Sequence, residues 1–344
     1  MLSKLFTSFV ILFFLISVNA QEILSHEKDV PGKENYNSEE ITFKTKDKKD
    51  SISLSGTLLT PKVPFDKVVV IVPGSGADTR NSHYLLTEQL LKNNIAVYRY
   101  DERGMGKSGG TFNNANYTIS MMTDELLSCL ESLRKNKNIA GKKVGLIGHS
   151  QGGMVTMGAY EKNAKPDFMV QWATPVQKHG EFLKYQLASG QNKFDDVLKF
   201  DDVNRKLEIM TAYHKIVEAN KDMDGWPLSK LLNKEAKRLK YTDANYDRFP
   251  YLTLSSEKDI VRKNFEVAYK STDVPTLYVI GTKDTFVDPA AETALLESFG
   301  NKNITIVKMD GLNHYLTAGA LDISTMYGID TNAAATIVNW IKTQ

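Results

Sequence analysis

Two kinds of apolar patterning succeed one another along the chain. Glu40–Thr45 and Ser51–Leu59 switch between apolar and polar residues one by one, the period of strands with one wet face, and the charged stretch Lys46–Asp50 between them reads as a hairpin tip. From there on the apolar runs are short and nearly unbroken: Lys67–Val72, Ile95–Tyr100, Lys143–Gly148, Phe168–Ala173, Thr276–Ile280 and Ile304–Met309. Such runs fit strands buried on both faces of a parallel sheet. Apolar residues recur at helical spacing over Ser82–Asn93, Ile119–Lys135, Gln151–Lys162, Pro289–Phe299 and Thr331–Ile341. Strand and helix in alternation predict a doubly wound α/β sheet.

One interval breaks the rhythm. Between Trp172 and Thr276 no buried strand is evident, and apolar residues recur at helical spacing, as at Phe182, Tyr185 and Leu187 and again at Leu228, Leu231 and Leu232. With turns at Trp226-Pro227 and Phe249-Pro250, it reads as a helical cap inserted after the sixth strand. The expected partition is a lead-in over 21–39, a sheet domain over 40–176 and 273–344, and the cap over 177–272. The lead-in is polar and aperiodic, hence loosely held. The lysine run Lys230–Lys240 in the cap reads as a solvated helix face.

The N-terminus differs from all of this. Lys4 precedes an apolar run from Leu5 to Val18, and Val18-Asn19-Ala20 has the side chains that a signal peptidase reads. Residues 1–20 are expected to be a leader cleaved near Ala20, and the chain to be exported, periplasmic or secreted. The apolar run is short of the roughly 20 residues that a membrane span needs, so no lasting membrane anchor is expected.

Composition narrows the function. Lys and Arg number 43 against 41 Asp and Glu, a net charge of +2, without the basic excess of a nucleic-acid binder. The hydrophobic share of 42% and charged share of 24% are those of a globular chain. The 1 cysteine, Cys129, excludes an intramolecular disulfide and sits on the apolar side of a helical pattern, as a small hydrophobe would.

The strongest local signal is Gly148-His-Ser-Gln-Gly152, which follows an apolar strand and opens a helical stretch. That context gives a G-x-S-x-G match its meaning: Ser150 occupies a strained strand-to-helix turn that needs glycine on both sides. The Gln151 amide then lies at a helix N-terminus, where it can stabilise an oxyanion. A serine hydroxyl needs a base, and the chain has 6 histidines. His26 lies in the lead-in, His179 and His214 in the cap, His149 points away from its neighbour Ser150, and His83 comes early in the order. His314, directly after the last strand, is the expected base. An acid should precede it along the chain. Asp284, just past a strand, is favoured to orient His314 and stabilise its cation, with Asp288 and Asp310 as competitors.

These residues carry a resemblance. Val72-Pro-Gly-Ser-Gly76, Asp101-Glu-Arg-Gly-Met-Gly-Lys-Ser108, Gly148-His-Ser-Gln-Gly152, Gly281-Thr-Lys-Asp284 and Gly311-Leu-Asn-His314 look like the alpha/beta-hydrolase superfamily, within its capped esterase and serine-aminopeptidase-like branch. The resemblance spans about residues 40–344. It implies a mostly parallel eight-stranded sheet, a lid, and hydrolysis through an acyl-serine, commonly of esters with short acyl chains. It also implies that the Ser75 amide is the second oxyanion donor, although Pro73-Gly74 stands where many relatives have His-Gly.

No cofactor and no metal are expected. Gly106-Lys107-Ser108 lacks the earlier glycine of a phosphate loop, and Asp222-Met-Asp-Gly225 lacks the last acid of a calcium loop. Asn116 and Asn303 stand in glycosylation sequons. The leading expectation is therefore an exported serine esterase acting on a small-molecule ester. The alternatives are an aminopeptidase-type peptidase, for which Glu181, Asp195 and Asp196 of the cap would have to reach the site, and a non-catalytic binder on a hydrolase scaffold.

Overall fold

The computed structural model describes residues 24–47, 50–191, 202–240 and 255–344. The expected leader, Asp195 and Asp196, and the Phe249-Pro250 turn lie outside the described residues.

The eight strands are β1 (Asn37–Asp47), β2 (Asp50–Thr60), β3 (Lys67–Val72), β4 (Ile95–Tyr100), β5 (Lys143–His149), β6 (Phe168–Trp172), β7 (Thr276–Gly281) and β8 (Ile304–Met309). They form one sheet in the order β1-β2-β4-β3-β5-β6-β7-β8. β1 pairs antiparallel with β2, and β2 with β4, while β3 to β8 run parallel. The patterning explains the difference: β3, β4, β6 and β7 are buried along their whole lengths, whereas β8, at the far edge, is half-exposed.

Helices α1 (Tyr84–Lys92), α2 (Ile119–Arg134), α3 (Gln151–Glu161), α9 (Pro289–Phe299) and α10 (Thr331–Lys342) connect or flank the strands. Their ends follow from local chemistry. Asp288 caps α9 by accepting the Ala290 and Ala291 amides, Pro289 opens its first turn, and Gly300 ends it in the left-handed conformation. Asp330 and Thr118 cap α10 and α2 in the same way. Cys129, on α2, is fully buried in the core.

Between β6 and β7 come α4 (Glu181–Ala188), α5 (Val203–Ala219), α6 (Gly225–Arg238), α7 (Ser255–Arg262) and α8 (Glu266–Ser271), with no strand among the described residues. Trp226-Pro227 is not the turn its sequence suggests. It lies in the first turn of α6, where proline costs no helical hydrogen bond. Lys230, Lys234, Lys237 and Lys240 are exposed, as a solvated face requires. No described helix is long and apolar enough to cross a membrane.

The expected lead-in is shorter and better held than its polarity suggests. β1 already begins at Asn37, and the Glu27 carboxylate accepts both the amide and the hydroxyl of Thr79 at 2.6 Å. Polar residues docked by polar contacts leave no periodic signal to read.

The order of the strands locates the crevice. From β3 the chain moves to β4 on one side, then returns across β3 to β5 on the other. Crevices of doubly wound sheets open at such a reversal, outside the carboxyl ends of the strands. Here those ends carry Pro73-Gly74-Ser75 after β3 and Ser150-Gln151 after β5.

Candidate active site

Ser150 sits between β5 and α3 with φ 54 and ψ −119, a conformation that costs a non-glycine residue on the order of 1–3 kcal/mol. Its flanking glycines make the turn possible. A Cβ at Gly152 would fall onto the carbonyl oxygens of Val72 and Pro73, and one at Gly148 onto the backbone of Gly152 and Gly153. The Ser150 amide is fixed to the Trp172 carbonyl at 2.7 Å, which leaves Gln151 as the first residue of α3.

His314 follows β8 and is 4% exposed. Its Nδ1 lies 2.7 Å from Asp284 Oδ2, and the Phe286 ring packs on the imidazole at a centroid distance of 4.9 Å. Asp284 is therefore the acid that meets His314. Asp288 is engaged as the α9 cap, and Asp310 accepts the Thr282 hydroxyl at 3.1 Å.

Gly74, Ser75, Ser150, Gln151 and His314 line one cavity of about 170 Å³. All the predicted site residues but Asp284 are thus on one wall-set, and Asp284 stands behind His314. Among the described residues Ser150 and His314 form no hydrogen bond with each other; such contacts often tighten only when substrate arrives. The opposite side of the cavity comes from the helices between β6 and β7: Phe182, Leu183 and Gln186 of α4, and Ser256, Glu257 and Ile260 of α7.

The aromatic residues of the inserted helices do not all reach the cavity. Phe182 is there, but the Tyr185 hydroxyl instead donates to the Asp284 carbonyl at 2.8 Å. Tyr213 is buried in the core of the inserted helices, and Trp226 is 73% exposed. Glu181 does not reach the cavity either, being paired with Lys184 at 2.6 Å. Glu257 is the acid that the sequence reading missed; nothing in its heptapeptide context distinguishes it from a surface charge.

His149 turns away from Ser150, as expected, and contacts His83 and the His314 carbonyl. Burial pushes His83 down to about 3 and His149 well below its ordinary range, so both are neutral. Behind them, His26 Nε2 lies 3.3 Å from Asp78 Oδ1, and the Tyr327 hydroxyl reaches the same carboxylate at 2.7 Å. His26, Glu27 and Asp78 offer ligand atoms within 4.8 Å of one another, but Thr79 and Tyr327 already donate to these carboxylates. They act as a latch for the lead-in.

Comparison with known proteins bears on the family and the fold. The family model described as serine aminopeptidase, S33, matches residues 64–319. An esterase of Pyrococcus furiosus is similar in structure, with 18% identity, 90% of this chain and 91% of that chain covered, and a TM-score of 0.55. A thermophilic esterase of Thermogutta terrifontis, solved with malate bound, has 15% identity over 89% of this chain and 98% of that chain, with a TM-score of 0.54. A bromoperoxidase of Bacillus anthracis has 17% identity over 88% and 100% of the two chains, with the same TM-score of 0.54. At such identities the likeness is one of fold. No curated protein sequence matches. The chain belongs to the serine aminopeptidase (S33) family and has the alpha/beta-hydrolase fold.

Proposed function

We propose, from membership of that family, that the protein is an exported serine hydrolase that cleaves small carboxylic esters through an acyl-serine. Ser150 Oγ attacks the ester carbonyl while His314 takes its proton. The amides of Ser75 and Gln151 receive the developing oxyanion. Asp284 accepts the His314 Nδ1–H, fixes the tautomer and stabilises the imidazolium. His314 then returns the proton to the departing alcohol, and water, activated by the same base, releases the acid and restores Ser150.

The observation that carries this reading is the 2.7 Å His314–Asp284 contact at the edge of a cavity of about 170 Å³ that Ser150 also lines. The α4 and α7 side chains that close the cavity play the part of the cap. Labelling with a fluorophosphonate and then assaying p-nitrophenyl esters tests the proposal. Label on Ser150 and ester turnover are expected; a protein that neither reacts nor turns over is the binding scaffold instead. Export belongs to the same proposal. N-terminal sequencing of the cell-free protein should begin just after Ala20.

One observation favours a second reading. Glu257 brings a carboxylate to the cavity wall, where it can pair with the free α-ammonium of an aminoacyl substrate. Aminoacyl p-nitroanilides decide between the two. Turnover faster than that of esters, and lost in Glu257→Gln, makes the protein an aminopeptidase.

A further inference from the structure

His314 is held at both ends. Its ring meets Asp284, and its backbone carbonyl accepts two N–H groups, from Trp172 Nε1 at 3.2 Å and from His149 Nε2 at 3.3 Å. Neither donor takes part in the chemistry proposed above. Trp172 ends β6, and His149 ends β5 one residue before Ser150.

The second donor sets a chain of consequences. A carbonyl oxygen only accepts, so His149 Nε2 must carry the proton. His149 is neutral in its buried position, so its Nδ1 is bare and must be met by a donor. Across 3.1 Å stands His83 Nε2, which therefore carries the proton of that ring. His83 is neutral as well, so its Nδ1 is bare in turn, and the Ser82 hydroxyl, 3.0 Å away, donates to it. Each proton position follows from the one before, and the direction runs one way from Ser82 to the His314 carbonyl. Reversing any ring would set two lone pairs or two N–H groups against each other.

The frame that carries the chain is fixed too. Arg99 Nη1 donates to the Ser82 carbonyl at 2.8 Å, and Thr87 Oγ1 to the His83 carbonyl at 3.0 Å. His83 takes φ 52 before α1, with the Tyr327 ring at a centroid distance of 4.2 Å. The His149 ring packs on Trp172 at 4.5 Å. Ser82, His83 and His149 are all buried.

We propose that Ser82, His83 and His149 form a one-way hydrogen-bond relay of positioning residues that sets the base His314 at its working distance from Ser150. The inference rests on the reading of Ser150 and His314 as nucleophile and base. In a structure where those two make no hydrogen bond with each other, their separation is set by what ties their backbones together. The relay supplies that tie, because its last donor is the residue beside Ser150 and its final acceptor is His314 itself. Its loss leaves the substrate-binding walls in place and displaces the proton acceptor, so it lowers kcat and spares KM.

The first measurement needs no variant. In wild-type protein with ¹⁵N-labelled histidine, His83 and His149 should each show a protonated Nε2 and a bare Nδ1 from pH 5 to 8. Either ring protonated on Nδ1 overturns the relay. For kinetics, His149→Phe keeps an aromatic ring against Trp172 and removes the donor. Its kcat should fall on the order of 10²-fold, the scale of a small misplacement of a reacting group, with KM little changed. His149→Gln restores an amide N–H toward the His314 carbonyl and should recover most of the loss. Equal rates for Phe and Gln, or a loss that appears in KM alone, overturn the proposal. If His149→Phe does not fold, Ser82→Ala serves: it removes the donor to His83 Nδ1, so the ¹⁵N shift of that bare nitrogen should move while both rings keep their protons on Nε2, and a partial loss of kcat is expected. A proton on Nδ1 of either ring, or an unchanged His83 Nδ1 shift with unchanged kcat, in that variant overturns the relay. Ser150→Ala separates the two readings. Full activity there refutes the site assignment, and the tautomers then decide the relay alone.

Discussion

The two carboxylate oxygens of Asp284 have different duties: Oδ2 meets His314 Nδ1 at 2.7 Å, and Oδ1 accepts the Phe286 and Val287 amides at 2.7 and 3.0 Å. The backbone thus locks the carboxylate in rotation, and α4 holds the same residue through the Tyr185 hydroxyl on its carbonyl. A side chain so constrained presents a single acceptor to the imidazole.

Asp284→Asn should therefore lower ester turnover by about 10⁴-fold, because the amide favours the wrong His314 tautomer. Asp288→Asn should leave turnover close to wild type, since asparagine also caps helices well. Steady-state assays of the pair decide the assignment. A large loss in Asp288→Asn with a mild one in Asp284→Asn would exchange their roles.

Ser150→Ala should lose on the order of 10⁴-fold or more in turnover and retain the folded state, as knockouts of an activated serine do. Gly152→Ala should differ in kind. Its Cβ would meet the Val72 and Pro73 carbonyl oxygens, so both the thermal midpoint and activity should fall. Thermal denaturation of the two variants separates the effects: a Gly152→Ala protein as stable as wild type would show that the elbow does not need the glycine.

Much of the arrangement is legible in the sequence. The strands and helices that carry Ser150, Asp284 and His314 announce themselves through period and apolar runs, and the three residues sit just past strand ends. Proximity across the chain was not legible. His26 and Glu27 read as solvated lead-in, because docking onto Asp78 and Thr79 uses polar contacts without periodicity. Tyr185 shows that a helical period marks a residue as lying on a face without saying what that face meets. Glu257 was invisible for the same reason, since only folding brings α7 over the crevice.

The lead-in gives a pH prediction. Its hydrogen bond to Asp78, opposed by burial, raises the His26 pKa above its ordinary 6.5. Burial likewise raises the Glu27 carboxyl above 4.5, against the Thr79 bonds. Both groups bind protons more tightly in the docked state, so their support is complete at low pH and fades as pH rises through the docked values. Hydrogen exchange at residues 24–36 should quicken between pH 5.5 and 8.5 more than exchange in β5. His26→Ala should exchange fast at both values; a wild-type strap equally protected at both would refute the latch.

Glu292 offers a second titration with the same sign. Burial holds its carboxyl up to about 8, although Oε2 accepts the Val176 and Gln177 amides at the entry to α4. The protonated form belongs to the folded state, so the support it gives is full below the ordinary 4.5 and is lost as pH rises through about 8. Glu292→Gln retains a carbonyl oxygen for the two amides and cannot ionise. Its thermal midpoint should match wild type near pH 4 and exceed it by a growing margin as pH rises to 9. Parallel curves for the two proteins would show that Glu292 is ionised throughout.

Substrate size follows from the cavity. About 170 Å³ is shared between the reacting carbonyl, the oxyanion turn and whatever the acyl group adds. The apolar side chains available to an acyl chain are Phe182, Leu183, Ile260 and Phe286, while Asn114, Gln151, Gln186 and Glu257 make the remainder polar. A methylene gains about 0.8 kcal/mol only where it leaves water for an apolar wall. Once those four side chains are covered, further methylenes stay wet or meet amide groups, and binding stops improving. Efficiency on p-nitrophenyl esters should peak at about two to four acyl carbons and decline beyond, since each further methylene forgoes the ~0.8 kcal/mol of burial. Phe182→Ala, which enlarges the apolar side, should move the peak to longer chains. A wild-type profile still rising past about ten carbons would mean that each methylene keeps finding an apolar wall, which these helices would have to open to provide.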